Sequence, residues 1–173
     1  IANSADHYEN SEGWYQKTIS SDILPFDASS DDDWLLYFEG VYMDCTIFVN
    51  GIQAGEWKYG YSSFEVRLTP FLKTGENTIL VHVRYQSPNS RWYSGSGIYR
   101  EVHLYRSGSS YIRPEGLKVQ IVDLNTIHIF TDAVMQPDEK IVLEIFNDTG
   151  KIVSSEGTDV TITIPDAHLW CAE

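Results

Sequence analysis

Residues 87–105 read SPNSRWYSGSGIYREVHLY, a polar and aromatic loop punctuated by glycines that runs directly into a strand-like segment. In the second half, every second residue from Ile98 to Leu104 falls on the same face, which is the period of a β-strand. Loops held by a rigid strand commonly form binding surfaces. The stretch therefore predicts a β-protein that displays a binding loop beside one of its strands.

The rest of the chain repeats this short period-two pattern. No segment sustains apolar residues at helical spacing over three turns, so neither a helical domain nor a βαβ sheet is expected. Residues 69–73 are predicted to make at most one helical turn, and Asn50-Gly51 is typical of a hairpin turn. The sequence thus predicts an all-β fold. Strands are predicted at residues 34–39, 43–50, 64–68, 78–85, 98–105, 117–122, 126–131, 140–147 and 159–164.

A small polar stretch, Arg106 to Ser110, separates two series of predicted strands. We expect one domain at residues 1–107 and a second at residues 108–173. The second series holds about four or five strands and alternates as in an immunoglobulin-type sandwich, which normally has about seven. The second domain is therefore expected to be either small or truncated.

Composition excludes several classes of partner. The chain has 173 residues, 25 acidic against 12 basic side chains, a formal net charge of −13 and a pI near 4.6. Such a field repels polyanions, so nucleic acid and anionic membranes are not expected partners. No apolar run approaches the roughly 20 residues of a membrane helix. Cys45 and Cys171 allow one disulfide, although two free thiols are the preferred interpretation.

The residue patterns of common catalytic and metal sites are missing from the sequence. Asp31-Asp32-Asp33 lacks the ligand spacing of a calcium loop and is interpreted as a solvated turn before a strand. The five histidines are scattered, so no zinc site and no cofactor are expected, and His82 and His103 are interpreted as strand residues. Gly95-Ser96-Gly97 leads into a strand and is not a nucleophile elbow. No two carboxylates stand out as the acid and base of a glycosidase.

Aromatic residues are unusually frequent, with five tryptophans and eleven tyrosines, several of them in predicted loops. Flat rings can stack on the apolar face of a sugar, while amide and guanidinium groups bind its hydroxyls. For Trp14 and Phe64 we prefer a structural role at the end of the core. For the loop residues Asn89, Arg91 and Trp92 the structural and binding interpretations both stay open.

Six segments occur in the order in which they are found in one enzyme family. The segments are Gly13-Trp14-Tyr15-Gln16-Lys17, Phe38-Glu39-Gly40-Val41, Val49-Asn50-Gly51, Gly60-Tyr61-Ser62-Ser63-Phe64, Gly75-Glu76-Asn77 and Trp92 to Arg100. Over residues 13–105 the chain thus resembles the amino-terminal, sugar-binding domain of glycoside hydrolase family 2, which includes β-galactosidases, β-glucuronidases and β-mannosidases.

The resemblance implies a jelly-roll (galactose-binding-like) β-sandwich, followed by the start of the family's immunoglobulin-like domain, in which Pro165 to Trp170 is similar to a Pro-x-x-Leu-Trp segment. It also implies that a TIM barrel, absent from these residues, carries the catalytic glutamates of a retaining exo-glycosidase. The chain is then expected to be a non-catalytic fragment of a secreted or periplasmic, β-galactosidase-like enzyme that shapes the cleft for a β-glycoside substrate.

On this resemblance the loop residues before Gly97 are the expected contacts with substrate, and Arg100 is expected to anchor the strand. The loop lacks the aspartate that some β-galactosidases carry there. Two other functions stay open, an autonomous carbohydrate-binding module and a structural or adhesive pair of β-sandwiches. Exposed edges of a truncated second sandwich would favour a homodimer. The substrate-binding candidates are Asn89, Arg91, Trp92 and Tyr93.

Overall fold

A computed structural model describes residues 10–86 and 95–167 of the chain. The chain divides into two compact units, Ile1–Ser107 and Gly108–Glu173. The described part is built from β-strands and a single 3-10 helix at Thr69–Phe71, which confirms the all-β prediction. The strands of the first unit are β1 (Ser11–Ile19), β2 (Asp33–Phe38), β3 (Val41–Tyr42), β4 (Cys45–Val49), β5 (Ile52–Trp57), β6 (Phe64–Arg67), β7 (Asn77–Tyr85), β8 (Gly97–Ile98) and β9 (Val102–Ser107).

The first unit is a sandwich of antiparallel sheets. One sheet has the order β1-β7-β4-β5, a second has the order β6-β2-β9, and β3 pairs with β8. Burial alternates along β4 and β7 because one face of their sheet covers the core while the other does not. Leu36 and Phe38 of the second sheet join Ile47, Val49 and Val81 of the first in one apolar cluster.

The start of β2 corrects the expectation of a solvated aspartate turn. Asp33 is buried rather than solvated, and the Nε of Arg67 donates to its two carboxylate oxygens at 2.7 and 2.9 Å. The hydroxyl of Thr69 also donates to Asp33 and in turn accepts the backbone N–H of Trp34 at 2.8 Å. Asp33 is therefore a structural carboxylate, and Asp32 beside it is paired with Arg106.

The predicted strand at residues 98–105 is broken in the structure. Gly97–Ile98 pairs with β3, whereas Val102–Ser107 pairs with β2 in another sheet. The interruption centres on Tyr99, whose hydroxyl donates to the backbone oxygen of Gly60 at 2.9 Å. Arg100 lies exposed in the bend, with its guanidinium carbon 5.4 Å from the centre of the Tyr99 ring, so it does not anchor a strand as expected.

Trp14 and Trp57 lie in strands β1 and β5 and not in loops as the sequence had suggested. The expectation that Trp14 closes the end of the core is wrong, because 58% of its surface is exposed. Phe64, in contrast, is buried as predicted and stacks on Phe38 and Trp57.

The described strands of the second unit are β10 (Tyr111–Ile121), β11 (Thr126–Val134), β12 (Val142–Asn147), β13 (Gly150–Glu156) and β14 (Asp159–Thr163). They form two small antiparallel sheets, ordered β10-β11-β14 and β12-β13. The apolar interior of this unit is thin, since Ile129 and Ile162 are the buried hydrophobic residues among those described there.

Within residues 10–86 and 95–167, no helix has the length and apolar character that crossing a membrane requires.

Candidate functional site

The four predicted substrate contacts, Asn89, Arg91, Trp92 and Tyr93, lie outside the described residues. The structure does describe the two points between which they occur in the sequence. The chain leaves the four-stranded sheet at Tyr85, the end of β7, and enters the β3-β8 pair at Gly97. The candidate site is therefore defined by the side chains around these two points, and the role of the four loop residues stays a prediction.

A group of four tyrosines surrounds the end of β7, and we call it the tyrosine cluster: Tyr42, Tyr59, Tyr61 and Tyr85. The ring of Tyr42 lies 5.2 Å from that of Tyr61 and 6.1 Å from that of Tyr85, and Tyr59 meets Tyr61 edge to face at 5.8 Å. Tyr42 and Tyr85 are buried, whereas Tyr59 and Tyr61 are exposed. The cluster thus anchors an aromatic surface with phenolic hydroxyls on a rigid sheet end.

Burial and the neighbouring Tyr61 raise the pKa of Tyr42 to about 12. Its phenol therefore stays protonated across the physiological range and can act only as a neutral hydrogen-bonding group.

Glycines allow the backbone to approach these rings closely. A Cβ at Gly60 would lie 2.2 Å from the Tyr42 ring, and one at Gly40 would lie 2.7 Å from the Tyr99 ring. Two of the segments that carry the family resemblance, Phe38 to Val41 and Gly60 to Phe64, therefore contain a glycine that accommodates a tyrosine ring.

Gly97 is a third such position and sits where the predicted binding loop ends. Its φ is +111°, a conformation that favours glycine, and an added Cβ would lie 2.1 Å from the Tyr15 hydroxyl. Tyr15 belongs to β1, far away in the sequence. The sequence indicates only that Gly95 and Gly97 belong to a glycine-rich loop. The fold shows that the Tyr15 side chain is what requires a glycine at position 97.

One group of potential metal ligands forms within the described residues, and sequence reasoning missed it. His103 Nε2 lies 3.1 Å from a Glu39 oxygen and 3.5 Å from a Glu101 oxygen. The potential ligand atoms of these three side chains lie within 4.8 Å of one another. Both glutamates are solvent-accessible, and each lies beside the same ring nitrogen of His103. The pairing of β2 with β9, which aligns Tyr37 with His103, is the signal that would have revealed the group.

A surface ion pair follows Tyr42 by two residues in the sequence. The Oδ2 of Asp44 lies 2.8 Å from Arg84 Nη2. Around the end of β7 the described residues thus present aromatic faces, phenolic hydroxyls and an ion pair.

Comparison with known sequences shows which protein family the chain belongs to. The family model described as "Glycosyl hydrolases family 2, sugar binding domain" matches residues 1–108. The chain belongs to glycosyl hydrolase family 2. Its first unit is thus the sugar-binding domain of that family, as the ordered segments in the sequence had indicated.

Two curated relatives carry glycosidase names. The chain is 45% identical over 102 residues to "Beta-galactosidase BoGH2A" of Bacteroides ovatus, covering 58% of this chain and 12% of that protein. It is 28% identical over 169 residues to a "Putative beta-glucuronidase" of Formosa agariphila, covering 94% of this chain and 16% of that protein. The chain therefore spans less than a fifth of the length of either relative.

The fold is shared with a solved β-glycosidase structure. The "Crystal structure of a beta-glycosidase from Bacteroides vulgatus" matches with a TM-score of 0.68 and 28% sequence identity, covering 92% of this chain and 22% of that one. The match extends into the second unit, since it covers more of the chain than residues 1–108.

Proposed function

We propose that the chain is the non-catalytic amino-terminal part of a retaining, β-galactosidase-like exo-glycosidase, and that a TIM barrel elsewhere in the polypeptide performs the hydrolysis. The observation that carries the proposal is the 45% identity to a β-galactosidase of which the matched region is only 12%. Most of such a protein, with room for a barrel, is then contributed by other residues.

The second unit supports this proposal. Its described residues, 108–167, form five strands, where an immunoglobulin-type sandwich has about seven. Many of its large apolar side chains are exposed, which a finished sandwich would bury. Those exposed apolar residues are Ile112, Leu117, Val119, Ile121, Val122, Leu124, Phe130, Met135, Val142 and Phe146.

In the intact enzyme the first unit contributes one wall of the substrate cleft. Asn89 and Arg91 bind substrate hydroxyls, and Trp92 and Tyr93 form the wall beside them. The tyrosine cluster supports this role because it gives the loop a rigid aromatic base at Tyr85. No step of the bond cleavage is assigned to this chain.

An activity assay tests the proposal at two lengths. The full-length gene product is incubated with nitrophenyl β-galactoside, β-glucuronide and β-mannoside, and we expect turnover of the galactoside. The 173-residue chain is expected to hydrolyse none of them. Failure of the full-length protein on all three substrates would reject the enzymatic role, and turnover by the pure chain would reject its non-catalytic status.

The loop residues are tested in the same full-length protein. Arg91→Ala and Trp92→Ala are expected to raise KM for the galactoside at least fivefold, because they remove contacts with bound substrate. Arg106→Ala, which removes an ion pair with Asp32 at the start of β2, is the control and should leave KM unchanged.

Secretion or periplasmic export and homodimer formation belong to the same proposal. The exposed apolar surface of the second unit favours self-association of the 173-residue chain. Sedimentation velocity between 5 and 200 µM, roughly the range that detects weak dimers, is expected to show a rising sedimentation coefficient. A constant sedimentation coefficient of the monomer would contradict the dimer.

Cell fractionation with an epitope-tagged full-length gene tests the export.

A further inference from the structure

The outer face of the four-stranded sheet carries an arrangement that neither the sequence resemblance nor the proposed cleft accounts for. In β7, Ile79, Val81 and Val83 face the core, so His82 and Leu80 face outward. Strand pairing aligns the residues beside them into two rows that cross all four strands, β1, β7, β4 and β5. The first row is Trp14, His82, Thr46 and Glu56, and the second is Gln16, Leu80, Phe48 and Gln53.

The indole of Trp14 is held in place on this face. It stacks on the His82 ring with a centroid distance of 4.2 Å and an interplanar angle of 13°, and it lies 6.1 Å from the Phe48 ring. The His82 Nε2 is itself 2.9 Å from an oxygen of Glu12. Since one face of the indole covers His82 while 58% of Trp14 is exposed, the opposite face meets solvent.

We infer that this face, here called the Trp14 platform, is a carbohydrate-binding site separate from residues 87–94, and that its ligand is a neutral oligosaccharide. The apolar face of one pyranose ring stacks on the free side of Trp14. Gln16, Gln53 and Thr46 supply amide and hydroxyl groups for the sugar hydroxyls along the rows. The inference goes beyond the proposed role in the cleft and does not depend on it.

Size and charge define the class of ligand. Neighbouring strands lie about 4.8 Å apart, so the four-strand rows extend over about 14 Å, more than one sugar ring. Glu12 and Glu56 lie on the platform and the chain carries a net charge of −13, which disfavours a uronate. A protein partner is less well matched, because only Trp14, Leu80 and Phe48 are apolar in the two rows, and the polar residues at the row ends limit the extent of the apolar surface.

Calorimetric titration of the 173-residue chain tests the platform. The probes are β-1,4-galactotetraose, methyl β-D-galactopyranoside and its uronate, methyl β-D-galactopyranosiduronic acid. We expect saturable binding of the tetraose, weaker binding of the neutral monosaccharide, and at least tenfold weaker binding of the uronate than of that monosaccharide. Perturbation of the Trp14 indole resonance by the tetraose, in two-dimensional NMR spectra, locates the ligand.

Substitutions separate the platform from the loop at residues 87–94. Trp14→Ala is expected to weaken tetraose binding at least tenfold, Trp14→Phe to retain part of it, and Gln53→Ala to weaken it a few-fold. Ile52→Ala is the matched control. Ile52 has the same exposed fraction as Trp14, 58%, and lies in the same sheet, but it pairs with Val49, whose side chain faces the core. Unchanged spectra of buried residues confirm folding of each variant.

Three outcomes overturn the inference: no saturable binding of the tetraose by the unsubstituted chain, equal binding by Trp14→Ala, or equal binding of the uronate and its neutral counterpart. Loss of self-association in Trp14→Ala, without any sugar binding, would assign the face to protein contact and would equally overturn it. None of these results bears on hydrolysis by the full-length enzyme, so the two proposals fail independently.

Discussion

At the scale of single residues, Asp33 shows how a buried carboxylate organises the first unit. Its oxygens accept from Arg67 and Thr69, and Thr69 then accepts the N–H of Trp34. Asp33→Ala is expected to lower the free energy of unfolding by about 2 kcal/mol, because it leaves partly buried donors without their acceptor. Urea titration followed by tryptophan fluorescence measures the change.

The neighbouring aspartate provides the control for that substitution. Asp31 is exposed, and Asp31→Ala is expected to change the unfolding free energy by less than about 0.5 kcal/mol. Equal destabilisation by both variants would contradict the structural role of Asp33.

Ionisation of the buried Cys45 thiol is expected to lower the stability of the first unit at alkaline pH. Burial raises the pKa of its thiol from 9.0 to about 11. A raised folded-state pKa means that the stabilisation is complete below pH 9 and is lost as pH rises towards and through 11. One pKa unit corresponds to about 1.4 kcal/mol. We therefore expect the ionisation of Cys45 to lower the unfolding free energy by up to about 2–3 kcal/mol over that window.

Urea midpoints at pH 8, 9, 10 and 11 test the effect in a Cys171→Ala background, which leaves Cys45 as the remaining cysteine. In Cys45→Ala this part of the pH dependence should disappear, whereas that of Tyr42 persists. Identical slopes with and without Cys45 would refute the assignment.

At the scale of elements, two asparagines join the β4-β5 hairpin to the turn that precedes β7. The side-chain nitrogen of Asn50 donates to the oxygen of Asn77 at 2.8 Å and to the Phe71 backbone oxygen at 2.9 Å. Asn77 is fully buried and bonds both the N–H and the C=O of Lys73, at 2.9 Å each. This amide pair adds to the backbone bond from the Asn50 N–H to the Thr78 oxygen, at 2.8 Å, where the two turns meet.

Asn77→Ala is expected to destabilise the first unit by about 2–3 kcal/mol, because it leaves buried polar groups of both turns without hydrogen-bond partners. Thermal unfolding by circular dichroism measures the loss, and Glu76→Ala, at an exposed neighbouring position, is the control. A melting temperature of Asn77→Ala equal to that of the control would disprove the role of the pair.

The elements also show what a sequence pattern can and cannot predict. Strands β2, β4 and β7 were predicted from their short apolar segments, and in β4 and β7 burial alternates at the period of a strand. β1 was missed because it is an edge strand, exposed along nearly its whole length, so burial imposes no alternation on it. The break at Tyr99 depends on Gly60, a partner 39 residues away, and no local pattern carries that information.

The same reasoning applies to the candidate site. The motif glycines were visible in the sequence, but the rings they accommodate, Tyr42 at Gly60 and Tyr15 at Gly97, are distant in the chain. Trp14 was assigned to the core on residue type alone, whereas its exposure follows from its position on the outer face of an edge strand.

At the scale of the whole chain, the two units differ in the size of their cores. The first contains a continuous cluster of buried apolar residues, whereas the second buries Ile129 and Ile162 among its described residues. We expect two unfolding transitions in calorimetry, with the second unit melting first, because its burial of apolar surface is small.

A chain truncated after Ser107 tests this expectation. It should retain the upper transition within a few degrees and lose the lower one. A single cooperative transition in the 173-residue chain, absent from the truncated chain, would show instead that the units depend on each other for stability.

The segment at residues 86–96 joins β7 of one sheet to β8 of a separate two-stranded pair. Backbone bonds from the Arg84 N–H to the oxygens of Met43 and Asp44, at 3.2 and 3.3 Å, hold the end of β7 to the chain that follows β3. Insertions, deletions or complete replacement between Tyr85 and Gly97 are expected to leave these bonds and both pairings in place. A library of grafted segments could therefore vary the predicted sugar contacts without refolding the domain on either side.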